Sequence, residues 1–184
     1  MKLTERLIKV FNYPIDDILA AMPDVSSPLW DANPHRQTKH TVHRETRSII
    51  FDWIDDRWQP GQEPDVLRLD CGLPALTKAA EACAEKLNAH YHGKVIRLLL
   101  AELGPHGKIA PHKDGGAGTV LVHRLHVPVV TNPAVKFFID EIPHYLEPGI
   151  AYEFDNTRRH AVDNDSDRPR IHLMCDILPA DLAA

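Results

Sequence analysis

The sequence predicts a mostly β, α+β fold of sandwich or jelly-roll type, and three observations carry that prediction. From Lys94 onward the chain breaks into short runs of β-forming residues separated by Gly, Pro, Asn and Asp. Residues 41–54 add an earlier run rich in Thr, Val, Ile, Phe and Trp. Only one long amphipathic helix interrupts this pattern, and many short strands with little helix between them pack as two facing sheets.

In chain order, residues 1–40 are mixed. Leu7, Ile8, Phe11, Ile15, Ile18 and Leu19 predict short helical or strand pieces, which Pro14, Pro23, Pro28 and Pro34 keep from growing. Residues 41–54 predict a strand. A helix follows from Pro74 to about His90: proline suits its first turn, Leu76, Ala79, Ala80, Cys83 and Leu87 share one face, and Gly93 ends it. It carries no catalytic group and reads as a layer packed on a sheet. Strands are then predicted near 94–103, 119–130, 135–140, 150–154, 159–163 and 170–178. At 184 residues the chain reads as one domain, 1–184. Residues 94–178 would form its β core, and residues 1–93 would brace the outside and border the substrate.

Composition excludes several classes of function. Hydrophobic residues make up 43% and charged residues 26%, which is ordinary for a globular protein, and the net charge of −5 comes without a lysine/arginine block. Nucleic acid, which calls for a basic stripe, is therefore not an expected partner. There is no apolar run of about 18 residues to span a membrane. Met1-Lys2-Leu3-Thr4-Glu5-Arg6 lacks the apolar core of a secretory signal. Cys71, Cys83 and Cys175 are an odd number without Cys-x-x-Cys spacing, and predict free thiols in a cytoplasmic protein. With twelve histidines, only spacing can single out ligands.

The spacing that stands out is His112-Lys113-Asp114, followed by His160, with Arg170 ten residues later. Residues i and i+2 of an extended strand point to one face, so His112 and Asp114 can reach one ion. Two imidazoles and a carboxylate cap one face of an octahedral metal and leave three positions open, as in non-haem Fe(II) oxygenases. An arginine beyond the distal histidine can hold a cosubstrate carboxylate by a two-pronged hydrogen bond. Zinc accepts the same ligands and would imply hydrolysis, although no general base is evident. A nucleophilic triad is poorly supported, because there is no Gly-x-Ser-x-Gly turn. A non-enzyme of the same fold is the remaining alternative.

Two strands carry Arg-x-His on one face: Arg124 and His126 opposite His123, Leu125 and Val127, and Arg170 and His172 opposite Ile171 and Leu173. Turned inward, these charges would need partners, which an anionic cosubstrate supplies.

Four blocks in order, His112-Lys113-Asp114, His123 to Pro128, Asn156 to Asn164 and Arg168 to Asp176, resemble the aspartyl/asparaginyl β-hydroxylase family of Fe(II)- and 2-oxoglutarate-dependent dioxygenases, which also includes free-proline hydroxylases. The resemblance covers about residues 94–178. It implies a double-stranded β-helix, the cupin-like form of the jelly roll, and iron held by His112, Asp114 and His160. It also implies Arg170 on the distal carboxylate of 2-oxoglutarate, with Arg168 as its rival, and Arg124 and His126 around that cosubstrate. The implied reaction uses O2 to hydroxylate an amino acid, an aspartyl/asparaginyl peptide residue or a related small molecule, while 2-oxoglutarate becomes succinate and CO2. A non-catalytic cupin-like ligand-binding or sensing module is the alternative. Candidate substrate contacts are Trp30, Arg36, His40, His43, Arg44, Arg47, His106, Asn132 and Arg159, because an upstream arginine and histidine cluster suits a carboxylate.

Overall fold

A computed structural model describes residues 5–182, so the Met1–Thr4 part of the segment examined for a secretory signal lies outside the described residues. The first strand, β1 (Leu7–Asn12), is followed by a short helix α1 (Asp16–Ala21), a 3-10 turn (Pro28–Asp31), the five-residue helix α2 (His35–Lys39) and a second 3-10 turn (Thr41–His43). Strands β2 (Thr46–Ile54) and β3 (Val66–Arg68) lead into the long helix α3 (Pro74–Tyr91). Then come β4 (Lys94–Leu103), β5 (Lys108–His112), a helical turn α4 (Ala117–Val120), β6 (His123–Val130), β7 (Val135–Ile139), β8 (Ile142–His144), β9 (Ile150–Phe154), β10 (His160–Asn164) and β11 (Arg170–Leu178).

The strands form a seven-stranded sheet in the order β1-β9-β6-β11-β4-β2-β3 and a four-stranded sheet in the order β5-β10-β7-β8. This is the jelly roll, or double-stranded β-helix, that the sequence predicts. The period of two along each strand decides what each face does. On β11, Ile171, Leu173, Cys175 and Ile177 point outward and pack with Leu76, Ala80, Cys83 and Leu87 of α3 in one core. Each fully buried leucine of that helix contributes roughly 1.5–3 kcal/mol of apolar burial. Between the sheets a second core holds Leu103, Ile109, Phe137, Phe154 and Val162, and one end of that space stays polar. Cys71, Cys83 and Cys175 are free thiols, as expected. Among the described residues no helix is long and apolar enough to cross a membrane.

The structure corrects several boundaries. The run at 41–54 enters its sheet only at Thr46, because Thr41–His43 turns and the Thr46 hydroxyl donates to the His43 carbonyl at 2.7 Å. The run at 119–130 becomes a strand only at His123, since the Thr119 hydroxyl bonds back to the Gly115 and Gly116 carbonyls and holds a helical turn. Helix α3 is ended by His92 in the left-handed region at φ 54°, not by Gly93. Gly93 serves a close approach: a Cβ there would lie 2.2 Å from the Leu178 carbonyl oxygen. Strand β5, broken in pattern by Pro111, is an addition. Residues 1–93 also do more than brace the outside, since β1, β2 and β3 are strands of the large sheet.

Candidate metal centre

His112 ends β5, and His160 opens β10 directly opposite it in the register of the small sheet. Asp114 lies two residues past the strand end, where its amide donates to the Asn156 carbonyl at 3.1 Å. This puts a nitrogen of each imidazole and a carboxylate oxygen within 4.8 Å of one another, a set that can hold a metal ion. Each imidazole is already oriented by its own chain: His112 Nδ1 donates to the Ala110 carbonyl at 2.8 Å and His160 Nδ1 to the Arg158 carbonyl at 2.9 Å. A backbone acceptor on Nδ1 fixes the tautomer and leaves Nε2 as the free lone pair, the usual outer support of a metal-binding histidine. His160 is buried, with Phe154 in a T-shaped contact and Phe137 stacked parallel to its ring.

The Asp114 carboxylate accepts from the Arg124 guanidinium and, at 3.0 Å, from the Asn156 side-chain amide, both on Oδ2. Its Oδ1 faces His112 Nε2 at 3.7 Å. Burial alone would push this carboxyl up, but Arg124 first, then His160, the Asn156 amide and His112, bring it down to about 2. A chelating carboxylate must be ionised, and these neighbours favour that form.

Arg124, expected beside a cosubstrate, directs its Nε, Nη1 and Nη2 at protein carboxylates. Besides Asp114, its Nε and Nη2 bond Asp176 Oδ1 and Oδ2 at 2.9 and 2.6 Å, and Asp176 also accepts from Arg97 Nη1 at 3.1 Å. Burial disfavours the charge, yet Asp114 and Asp176 more than restore it.

Arg170 is different. It is 2% exposed, its Nη2 donates to the neutral ring of His172 at 2.6 Å with His126 Nδ1 at 3.5 Å, and its Nε has no partner among the described residues. Burial, then repulsion from Arg36, pulls it down to about 9. Burial and the Arg170 charge likewise hold His126 and His172 well below the ordinary imidazole value. The rival Arg168 is on the surface.

Arg170, His126, His160, His112 and Asp114 line one inner cavity of about 40 Å³ between the sheets. A wider cleft of about 570 Å³ opens outside it and shares Arg36, His43, His112, Asp114, Arg124 and Met174 with it. Of the nine candidate substrate contacts, Arg36, His40 and His43 line this cleft. Trp30 is instead a fully buried part of the α3 core. Arg44 is exposed. Arg47 is bonded to Glu102, His106 to Asp167 and Asn132 to Ser166. Arg159 pairs with Glu141 along the outer face of the small sheet. Sequence reading missed Asp176, Arg97 and Asn156. Asp176 was readable, since it continues the inward row Arg170, His172, Met174 at period two.

Comparison with solved structures shows the same fold at low identity. A 2OG-Fe(II) oxygenase family oxidoreductase from Burkholderia pseudomallei aligns with a TM-score of 0.54 and 14% identity, covering 92% of this chain and 80% of that one. A prolyl-4-hydroxylase from Pseudomonas putida gives 0.54 and 19%, covering 96% and 94%. The viral collagen prolyl hydroxylase of Paramecium Bursaria Chlorella virus-1, solved with 2OG, gives 0.52 and 12%, covering 96% and 97%. No curated protein sequence matches the chain. Residues 73–179 match the sequence profile described as aspartyl/asparaginyl beta-hydroxylase, a segment that includes the His112, Asp114 and His160 cluster, and with it the chain belongs to that family.

Proposed function

We propose that the chain is an Fe(II)- and 2-oxoglutarate-dependent hydroxylase in which His112, Asp114 and His160 hold the metal and Arg170 holds the cosubstrate. One observation carries the reading. Three ionised or free-lone-pair donors converge within 4.8 Å, and the same small cavity contains a buried guanidinium with no carboxylate partner among the described residues. A buried cation without a counter-ion costs several kcal/mol, and a site tolerates it when a ligand brings the anion. The donor set suits the metal, since two imidazoles and one carboxylate leave open positions for a chelating cosubstrate and dioxygen.

When bound, Fe(II) with 2-oxoglutarate and O2 supplies the oxidising power that places a hydroxyl on a C–H bond, with succinate and CO2 released. The protein's part is orientation and shelter. Arg170, with His126 and His172 beside it, receives the distal carboxylate of 2-oxoglutarate. Arg124 and Asn156 hold Asp114 Oδ2 so that Oδ1 faces the metal position, which moves Arg124 from cosubstrate contact to positioning residue. Phe137 and Phe154 keep water from the far side of His160. The prime substrate enters from the outer cleft.

Anaerobic titration of the purified protein with Fe(II) and 2-oxoglutarate should produce a visible metal-to-ligand absorption band. His160→Ala should show none, and Arg170→Gln should need far more 2-oxoglutarate to reach it. A wild-type protein that develops no band sinks the assignment.

A further inference from the structure

Arg36 is a second buried guanidinium, and no carboxylate among the described residues pairs with it. It is 5% exposed, it is the one buried residue of α2, and its Nη1 has no partner among the described residues. The ion pairs of the site run from Arg124 to Asp114 and Asp176 and from Arg97 to Asp176, and Arg36 stands outside all of them. Burial, followed by repulsion from Arg124, lowers it to about 10. A five-residue helix that docks its only buried side chain as an uncompensated cation is destabilising in itself. That arrangement fits a binding group better than a packing group.

Position says what it binds. Arg170 lines only the inner cavity, whereas Arg36 lines both that cavity and the outer cleft, with His43 beside it. On the oxygenase reading above, on which this inference rests, 2-oxoglutarate has two carboxylates, one chelating at the metal and one on Arg170, so the cosubstrate has none left for Arg36. The residue also precedes the segment that matches the family profile, which begins at residue 73. It therefore lies outside the segment that carries the metal ligands while still bordering their cavity.

We propose that Arg36 receives a carboxylate of the prime substrate, held at the wall between cleft and cavity. Two sources carry that group, the α-carboxylate of a free amino acid and the side chain of a peptidyl aspartate. Both bring the same chemistry to a guanidinium, a charge-assisted bidentate pair.

The test uses calorimetry on full-length protein loaded with Mn(II) and 2-oxoglutarate, with succinate release from the Fe(II) form as a second readout. The probes are the twenty free L-amino acids, their α-carboxamides, and capped tripeptides centred on Asp or Asn. At least one free acid, or the Asp peptide, should bind at least tenfold more tightly than its amide counterpart. Arg36→Gln should erase that preference while changing 2-oxoglutarate affinity less than threefold, and Arg36→Lys should recover part of it. The α-carboxamides and the Asp/Asn peptide pair tell the two carboxylate sources apart. Wild-type protein binding every acid and its amide equally overturns the proposal without any variant. So does an Arg36→Gln protein that loses 2-oxoglutarate as severely as Arg170→Gln, which would make Arg36 a cosubstrate contact. A wild-type protein that takes up no 2-oxoglutarate with Mn(II) overturns the oxygenase reading itself, a result distinct from both.

Discussion

Arg124 holds one oxygen of the Asp114 carboxylate and thereby decides which oxygen faces the two imidazoles. The guanidinium is itself gripped by Asp176 through two parallel bonds of 2.9 and 2.6 Å. The chain Asp176, Arg124, Asp114 thus works as a rigid lever between β11, β6 and the loop after β5.

Arg124→Gln should weaken metal binding by about 10–100-fold, the usual effect of losing an outer support of a metal ligand. Chelator competition with Mn(II) or Zn(II) measures it. Asp176→Asn should cost less, because Arg124 then keeps its contact with Asp114. Equal metal affinity in wild type and Arg124→Gln would show that Asp114 is held by Asn156 alone.

Arg170 should display a trade-off between stability and binding. Arg170→Met removes a buried charge that has no counter-ion, so the ligand-free protein should gain about 1–2 kcal/mol. The same change should cost about 100-fold in 2-oxoglutarate affinity, the value of roughly two charge-assisted hydrogen bonds. Urea unfolding and calorimetry read the two effects separately. A destabilised apo variant would mean that His126 and His172 already compensate the charge.

Legibility followed the physics of local pattern. His112 and Asp114 were visible because alternate residues of an extended segment share a face, although Asp114 lies just past the end of β5. Arg170 was visible because it alternates with Ile171 and Leu173. The α3 core face was equally plain. Arg36 could be named only as one of nine candidates, since the proline-broken segment around it has no period from which to infer a direction. Trp30 lies in the same segment and proved to be core, for the same reason. Asn156 sits in a loop, where sequence carries no facing rule. Its value comes from a contact with Asp114 across 42 positions of chain.

The pH dependence of stability should be steep on the acid side. His126 and His172 are buried and His43 is half-buried, and all three favour the neutral form, His43 at about 2 through burial and then the Arg36 charge, the other two well below the usual imidazole value. Their folded values lie below the unfolded one of about 6.5. The contribution is therefore complete above that pH and drains away below it, as the unfolded chain takes up protons that the folded one refuses. Each such histidine should cost about 1.4 kcal/mol per pH unit below 6.5. Denaturant unfolding of metal-free protein from pH 8 to pH 5 tests the slope. His172→Gln should reduce it by one proton, and an unchanged slope would mean that His172 is protonated in the folded state.

Gly93 and Trp30 separate structure from function at two positions where sequence pattern pointed elsewhere. A Cβ at Gly93 would meet the Leu178 carbonyl and Ile177 Cγ2 at 2.2 and 2.7 Å, so Gly93→Ala must push α3 away from the end of β11. Overpacking of this kind costs about 1–3 kcal/mol. Trp30 is fully buried against the α3 core and its indole N–H donates to the Asp24 carbonyl at 3.2 Å. Trp30→Ala should cost about 3–5 kcal/mol, since it leaves a large cavity. Neither change touches the cleft. Both variants should keep the wild-type 2-oxoglutarate affinity at temperatures where they remain folded. A Trp30→Ala protein of normal stability but impaired substrate binding would instead return that side chain to the substrate site.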